Sequence, residues 1–273
     1  MSRKRHEILG KKLYFPLSES LGVLSQCEKD YELEITTKPL PGGQQNTRIS
    51  YLGDVIIYAV LEHLGFGPID HLKARIDRGV DESLDYFFKD WWRANKNDVL
   101  ALDKSGKRRQ LQWYDALKSA LLLGGWAGRW DDIVKICSWF DETIELEYQK
   151  RKIEDEYEVL FLCIVSNLRA QPFKQADKML EKVKKCRTRR AKLLCAAWEA
   201  AIAKDQKAFD KAFKDSVAYF VKSETRDVPN VCYWVALDPS IVWLIAERNG
   251  LKFPELPEEL DAAVVRRQTI GLA

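Results

Sequence analysis

The chain is poor in the residues that do chemistry. It has 3 histidines, His6, His63 and His71, and no pair of them has metal-ligand spacing. His63 and His71 flank the Gly65-Phe66-Gly67-Pro68 turn, and they read as structural side chains. The 6 cysteines, Cys27, Cys137, Cys163, Cys186, Cys195 and Cys232, include no C-x-x-C pair, so neither a zinc ribbon nor a thioredoxin-type site is written here. No G-x-S-x-G elbow and no H-E-x-x-H helix occurs. Gly124-Gly125-Trp126-Ala127-Gly128 lacks the lysine and hydroxyl of a phosphate loop and reads as the turn of a helical hairpin. These absences assign no catalytic residue, no cofactor and no metal, and the expectation is a protein that is not an enzyme.

No apolar run is long enough to span a bilayer. The basic start, Met1-Ser2-Arg3-Lys4-Arg5-His6, is followed by Gly10, Lys11 and Lys12 instead of an apolar core, so it is not a signal peptide. A reducing cytoplasm and no membrane partner are expected. Charged residues are abundant at 31%, but they cancel to a formal net charge of +3, which by itself is not a nucleic-acid-binding signature.

What the sequence does have is helical periodicity. Tyr157, Leu160, Phe161, Ile164 and Leu168 continue a stripe begun at Ile153, with the 3.6-residue spacing of one helix face. A partner helix follows, with Phe173, Ala176, Leu180 and Val183. The plan repeats in Ala191, Leu194, Cys195, Trp198 and Ile202, then in Phe209, Phe213, Val217 and Phe220. A looser earlier pair carries Trp113, Leu117, Ala120 and Leu121, then Ile133, Cys137, Phe140 and Ile144. Three hairpins thus run from about Gln112 to Glu224. The aromatic residues near the start of each second helix, Trp130, Phe173 and Phe209, are 43 and 36 residues apart. That is the range of tetratricopeptide-type and HEAT-type repeats, but the unequal spacing points to an irregular stack. Cys137, Cys163 and Cys195 fall on these stripes as small core residues.

Before the hairpins, residues Leu17 to Cys27 read as a short helix, and the alternation at Tyr31, Leu33 and Ile35 as a small strand. Lys38 to Asn46 is the clearest loop. Two further helices are expected, from Arg48 to Leu64 and from Ser83 to Ala94. After the hairpins, Asp238 is expected to cap a helix that starts at Pro239 and stops at Asn249-Gly250. An extended Phe253-Pro254-Glu255-Leu256-Pro257 stretch follows, and Pro257 starts a last turn through Leu260. The expected fold is all-α: one helical domain over 1–273, with an N-terminal part over 1–110 and an irregular tetratricopeptide-like stack of antiparallel hairpins over 111–273, and at most a small N-terminal strand.

Two charge clusters are candidate contact surfaces. Asp141, Glu142, Glu145, Glu147, Glu154, Asp155, Glu156 and Glu158 surround the turn between the first two hairpins and could receive a basic partner. Lys182, Lys184, Lys185, Arg187, Arg189, Arg190 and Lys192 surround the next turn and could bind phosphate, although no aromatic run interleaves with them for base stacking.

The C-terminal half resembles the immunity protein 49 family of bacterial polymorphic toxin systems. The segments that carry the resemblance are Tyr114-Asp115-Ala116-Leu117 with Ala120-Leu121-Leu122-Leu123-Gly124, Ala200-Ala201-Ile202-Ala203-Lys204-Asp205 with Ala208-Phe209, and Leu244-Ile245-Ala246-Glu247-Arg248-Asn249-Gly250-Leu251 before a proline-containing tail. The resemblance implies a bacterial protein that binds a cognate toxin and neutralises it by steric occlusion, and it supplies no catalytic residue. The alternatives are a helical-repeat adaptor for another protein and a nucleic-acid-binding protein using the Lys182–Lys192 patch.

Overall fold

A computed structural model describes residues 3–36, 43–89, 113–140, 156–226 and 228–272. Among them the regular structure is helical throughout, with no strand. In chain order the α-helices are α1 (Arg5–Ile8), α2 (Leu17–Thr36), α3 (Gly43–Leu64), α4 (Leu72–Phe88), α5 (Trp113–Ala127) and α6 (Trp130–Ser138). They continue with α7 (Glu156–Leu168), α8 (Ala176–Lys185), α9 (Arg189–Ala203), α10 (Gln206–Ser223), α11 (Leu237–Arg248) and α12 (Glu258–Ala262). Short 3-10 turns at Val231–Tyr233 and Arg267–Ile270 complete the order.

The expected hairpins are present as α5–α6, α7–α8 and α9–α10, the last pair being the most extensively packed. Most described stripe positions are buried, with Leu117, Ile133, Leu160, Ile164, Leu194 and Phe213 at most 1% exposed, while Ile144 and Ile153 lie outside the described residues. The α9–α10 turn is made by Lys204 in a left-handed conformation (φ 55°), followed by Asp205, whose carboxylate accepts from the Ala208 N–H at 3.0 Å. Phe173 precedes α8 instead of opening it, and the Ser166 hydroxyl accepts its backbone N–H at 2.8 Å.

The hairpins do not form an open row. Helix α11 packs on both α9 and α5. Nine successive residues, Asp238 to Ala246, are buried, so α11 has no solvent face in that stretch. A helix enclosed on all sides in this way is a core element. It ends in a Schellman arrangement, with Gly250 at φ 86° donating to the Glu247 carbonyl and Leu251 to that of Ala246, both at 3.0 Å. The extended stretch behind it lies as expected, with Phe253 edge-on to Trp243 (4.9 Å, 90°).

Four expectations are corrected. The strand at Tyr31–Ile35 is instead the end of α2: Leu24 and Tyr31, two helical turns apart, are its buried positions, and Tyr31 stacks on Tyr51 of α3 at 4.4 Å. Leu33, which the alternation reading needed inside, is 65% exposed. Gly43 to Asn46, expected as the end of a loop, are instead the first residues of α3, and Lys38 to Gly42 lie outside the described residues. Helix α4 starts eleven residues before Ser83, and its first turns are anchored by buried Leu72, Ile76 and Val80. Gly124 and Gly125 lie within α5, not in the turn. A β-carbon on Gly124 would stand 2.6 Å from Ile133 Cγ1, and one on Gly125 would stand 2.8 Å from Leu244 Cδ1, so both glycines allow helices to approach closely. The turn itself uses Gly128, at φ 72°.

The two ends of the chain meet across α3. His63 is fully buried, with Nε2 2.8 Å from the Ala262 carbonyl and Nδ1 2.8 Å from the Thr269 hydroxyl. Burial pushes its pKa down to about 3, so the ring is neutral. A carbonyl can only accept, which places the proton of the neutral ring on Nε2, with Nδ1 facing the Thr269 hydroxyl. Arg267 adds a hydrogen bond to the Trp126 carbonyl at 3.0 Å, and α1 packs on both α3 and α12.

Candidate functional site

The two charge clusters fare differently. Asp141, Glu142, Glu145, Glu147, Glu154 and Asp155 lie outside the described residues. Glu156, in the first turn of α7, is half-buried and accepts from the Thr188 hydroxyl at 2.9 Å, which ties the start of α7 to the start of α9. Glu158 is also half-buried in that turn.

Much of the basic cluster is committed within the protein. Lys184 pairs with Glu199 at 2.7 Å, Lys185 with Glu181 at 3.3 Å, and the Arg189 guanidinium lies 5.7 Å from the Tyr219 ring centre. Arg190 turns inward. It hydrogen-bonds the Tyr157 hydroxyl, lies over that ring at 4.2 Å, and pairs with Glu224 at 3.3 Å and Asp238 at 2.6 Å. Arg187 and Lys192 remain on the surface.

Asp238 is therefore not the cap the sequence suggested. Helix α11 begins at Leu237, its N-cap is Ala236, and no side chain caps it. The Asp238 carboxylate is 4% exposed and reaches Lys118 of α5 at 2.6 Å as well as Arg190. Burial alone would raise its pKa, but Lys118 and Arg190 outweigh that and hold it below the ordinary carboxylate range. The same ion set lifts the Arg190 pKa despite the cost of desolvation. These groups join α5, α7, α9 and α11 and the end of α10, a clamp inside the stack.

The recess best shaped to receive something lies elsewhere, between the second and third hairpins. It is a cleft of about 320 Å³ walled by α7, α8 and α9. Each helix contributes residues four apart, which stand one above the other on a helix face. They are Cys163 and Asn167 from α7, Ala176 and Leu180 from α8, and Trp198 and Ile202 from α9. Ser166, Pro172, Asp177, Glu199 and Ala203 complete the lining. Asn167 and Asp177 are exposed, while Leu180 and Ile202 are half-buried. Cys163 is 3% exposed, and burial pushes its thiol up to about 12, so it presents an inert surface.

Trp198 and Ile202 were legible as one stripe. The missing signal was that α8 and α9 leave their facing stripes partly uncovered at Leu180 and Ile202. No His/Cys/Asp/Glu group that could hold a metal ion occurs among the described residues, and none of their helices is long and apolar enough to cross a membrane. No family model, no curated protein and no solved structure matches this chain.

Proposed function

We propose that this protein binds a partner protein stoichiometrically and blocks that partner's working surface, as the resemblance to bacterial immunity proteins implies for a cognate toxin. The observation that carries the reading is the open cleft between α7, α8 and α9, which is chiefly apolar in a helical stack whose outer faces are charged. An uncovered apolar recess with a polar rim is the form that interaction sites take on soluble helical proteins. The stack behind it is braced by the Asp238 clamp and by buried α11, so the recess is preformed and little ordering cost attaches to binding. A general adaptor role uses the same surface. A nucleic-acid role is less favoured, because Lys184, Lys185 and Arg190 already face carboxylates.

The test is co-expression with the product of the adjacent gene. The expected result is rescue from growth arrest, together with a one-to-one complex on size-exclusion chromatography. Without rescue or a complex, the neutralising role is lost. A complex without toxicity leaves the adaptor role.

A further inference from the structure

We infer that the α7–α8–α9 cleft receives an apolar side chain of leucine, methionine or phenylalanine size, from a protein segment that carries a lysine or arginine beside it. The inference rests on the protein-binding reading and specifies its chemistry. Size comes first: about 320 Å³ is at the small end of ligand pockets and suits one or two side chains, not a folded element. The floor comes second. Leu180, Trp198 and Ile202 offer carbon surface. Of the polar groups in the lining, the Ser166 hydroxyl accepts the Phe173 N–H, Glu199 is paired with Lys184, the buried indole Nε1 of Trp198 has no partner among the described residues, and Asn167 and Asp177 are exposed. A polar side chain entering here would lose its water against a lining that is chiefly carbon, so the occupant is apolar.

Charge identifies the neighbour of that side chain. The carboxylates of the lining are Asp177 and Glu199, and no lysine or arginine lines the cleft. Glu199 shares its charge with Lys184, whereas Asp177 is exposed and has no ion pair among the described residues. An incoming cation next to the apolar anchor meets Asp177 at the rim, which favours encounter and selects against acidic segments.

Three blocked eight-residue peptides test this, centred on Lys-Leu-Leu-Lys, Glu-Leu-Leu-Glu and Lys-Ser-Ser-Lys. Each is titrated into the full-length ¹⁵N-labelled protein. The reporter is the Trp198 indole signal, identified by its loss in Trp198→Phe. The first peptide is expected to shift that signal saturably and the acidic one to bind several-fold more weakly, while the serine peptide leaves the signal unmoved. Ala203→Trp, which fills the rim, should abolish the shift. Asp177→Asn, at an exposed position, should weaken binding about two- to fivefold, the size of one exposed ion pair. No shift by any peptide overturns the inference. So does an equal shift by the serine peptide, or undiminished binding by a folded Ala203→Trp protein. In co-expression, rescue by Ala203→Trp equal to wild type overturns the cleft assignment and leaves the neutralising role standing. Failure of wild type itself to rescue is instead evidence against that role.

Discussion

The carboxylate of Asp238 accepts a hydrogen bond from the guanidinium of Arg190 at 2.6 Å, across 48 residues of chain. Lys118 meets the other carboxylate oxygen at 2.6 Å, so one buried anion holds two cations from different helices. Removing the anion leaves Lys118 without its carboxylate and Arg190 with that of Glu224 alone. Asp238→Ala is expected to cost roughly 3–5 kcal/mol in a urea titration, well above the ~1 kcal/mol of a lost helix cap. A change near the cap value would mean that solvent replaces the carboxylate at Lys118 and Arg190.

His63 gives the stability a defined pH dependence. Its pKa is about 3 in the folded protein against 6.5 for the free side chain. Between those values the unfolded chain binds the extra proton, so stability falls as the pH drops through that window. The contribution lost from neutral pH to about pH 5 is about 2 kcal/mol. Measuring unfolding free energy over that range for wild type and His63→Gln should show the shallower slope in the variant. Equal slopes would place the proton uptake on other groups.

Gly124→Ala inverts the usual helix rule. In an open helix interior the change stabilises by about 1 kcal/mol. Here the new β-carbon would press on Ile133, which is 1% exposed, at 2.6 Å from its Cγ1. The expected outcome is destabilisation of about 1–3 kcal/mol. Combining it with Ile133→Ala should cost clearly less than the two changes added together. Additive losses would show that α5 and α6 separate freely.

The thiols should separate by reactivity. Cys137, Cys163 and Cys195 are buried, and desolvation pushes each up to about 12. An aromatic disulfide reagent at about pH 8 is expected to reach them only on unfolding, while half-buried Cys27 reacts in the native protein. Rapid native modification of Cys163 would mean that the floor of the cleft opens.

The hairpin stripes were legible because burial on one face repeats every 3.6 residues, and that period is local. Residues such as Leu194, Trp198, Phe209 and Phe213 needed no knowledge of the partner helix. Errors arose where a distant group decided the outcome. Asp238 has the chemistry of a cap, but Lys118 and Arg190 draw it inward. Tyr31 alternates with charged neighbours as in a strand, but Tyr51 and Leu24 fix it on a helix face. Gly124 and Gly125 look like turn residues, but Ile133 and Leu244 need the space a β-carbon would take. The cleft was half legible: its apolar rows were visible, and the gap between them depends on how the three helices pack, which no local period encodes. The acidic residues Asp141 to Asp155 lie outside the described residues.

The meeting of His63 with Ala262 and Thr269 joins positions 199 and 206 residues apart. In an open solenoid each unit touches only its neighbours, and unfolding can begin at either end and spread. Here the array is closed, so fraying of the segment from Ala262 to Thr269 exposes a histidine in the last turn of α3. During synthesis, α3 has to wait until Thr269, 206 residues on, before its imidazole is satisfied. The segment from Ala262 to Thr269 therefore acts as a late checkpoint on the packing of α3: a chain cut before it would leave His63 without its partners.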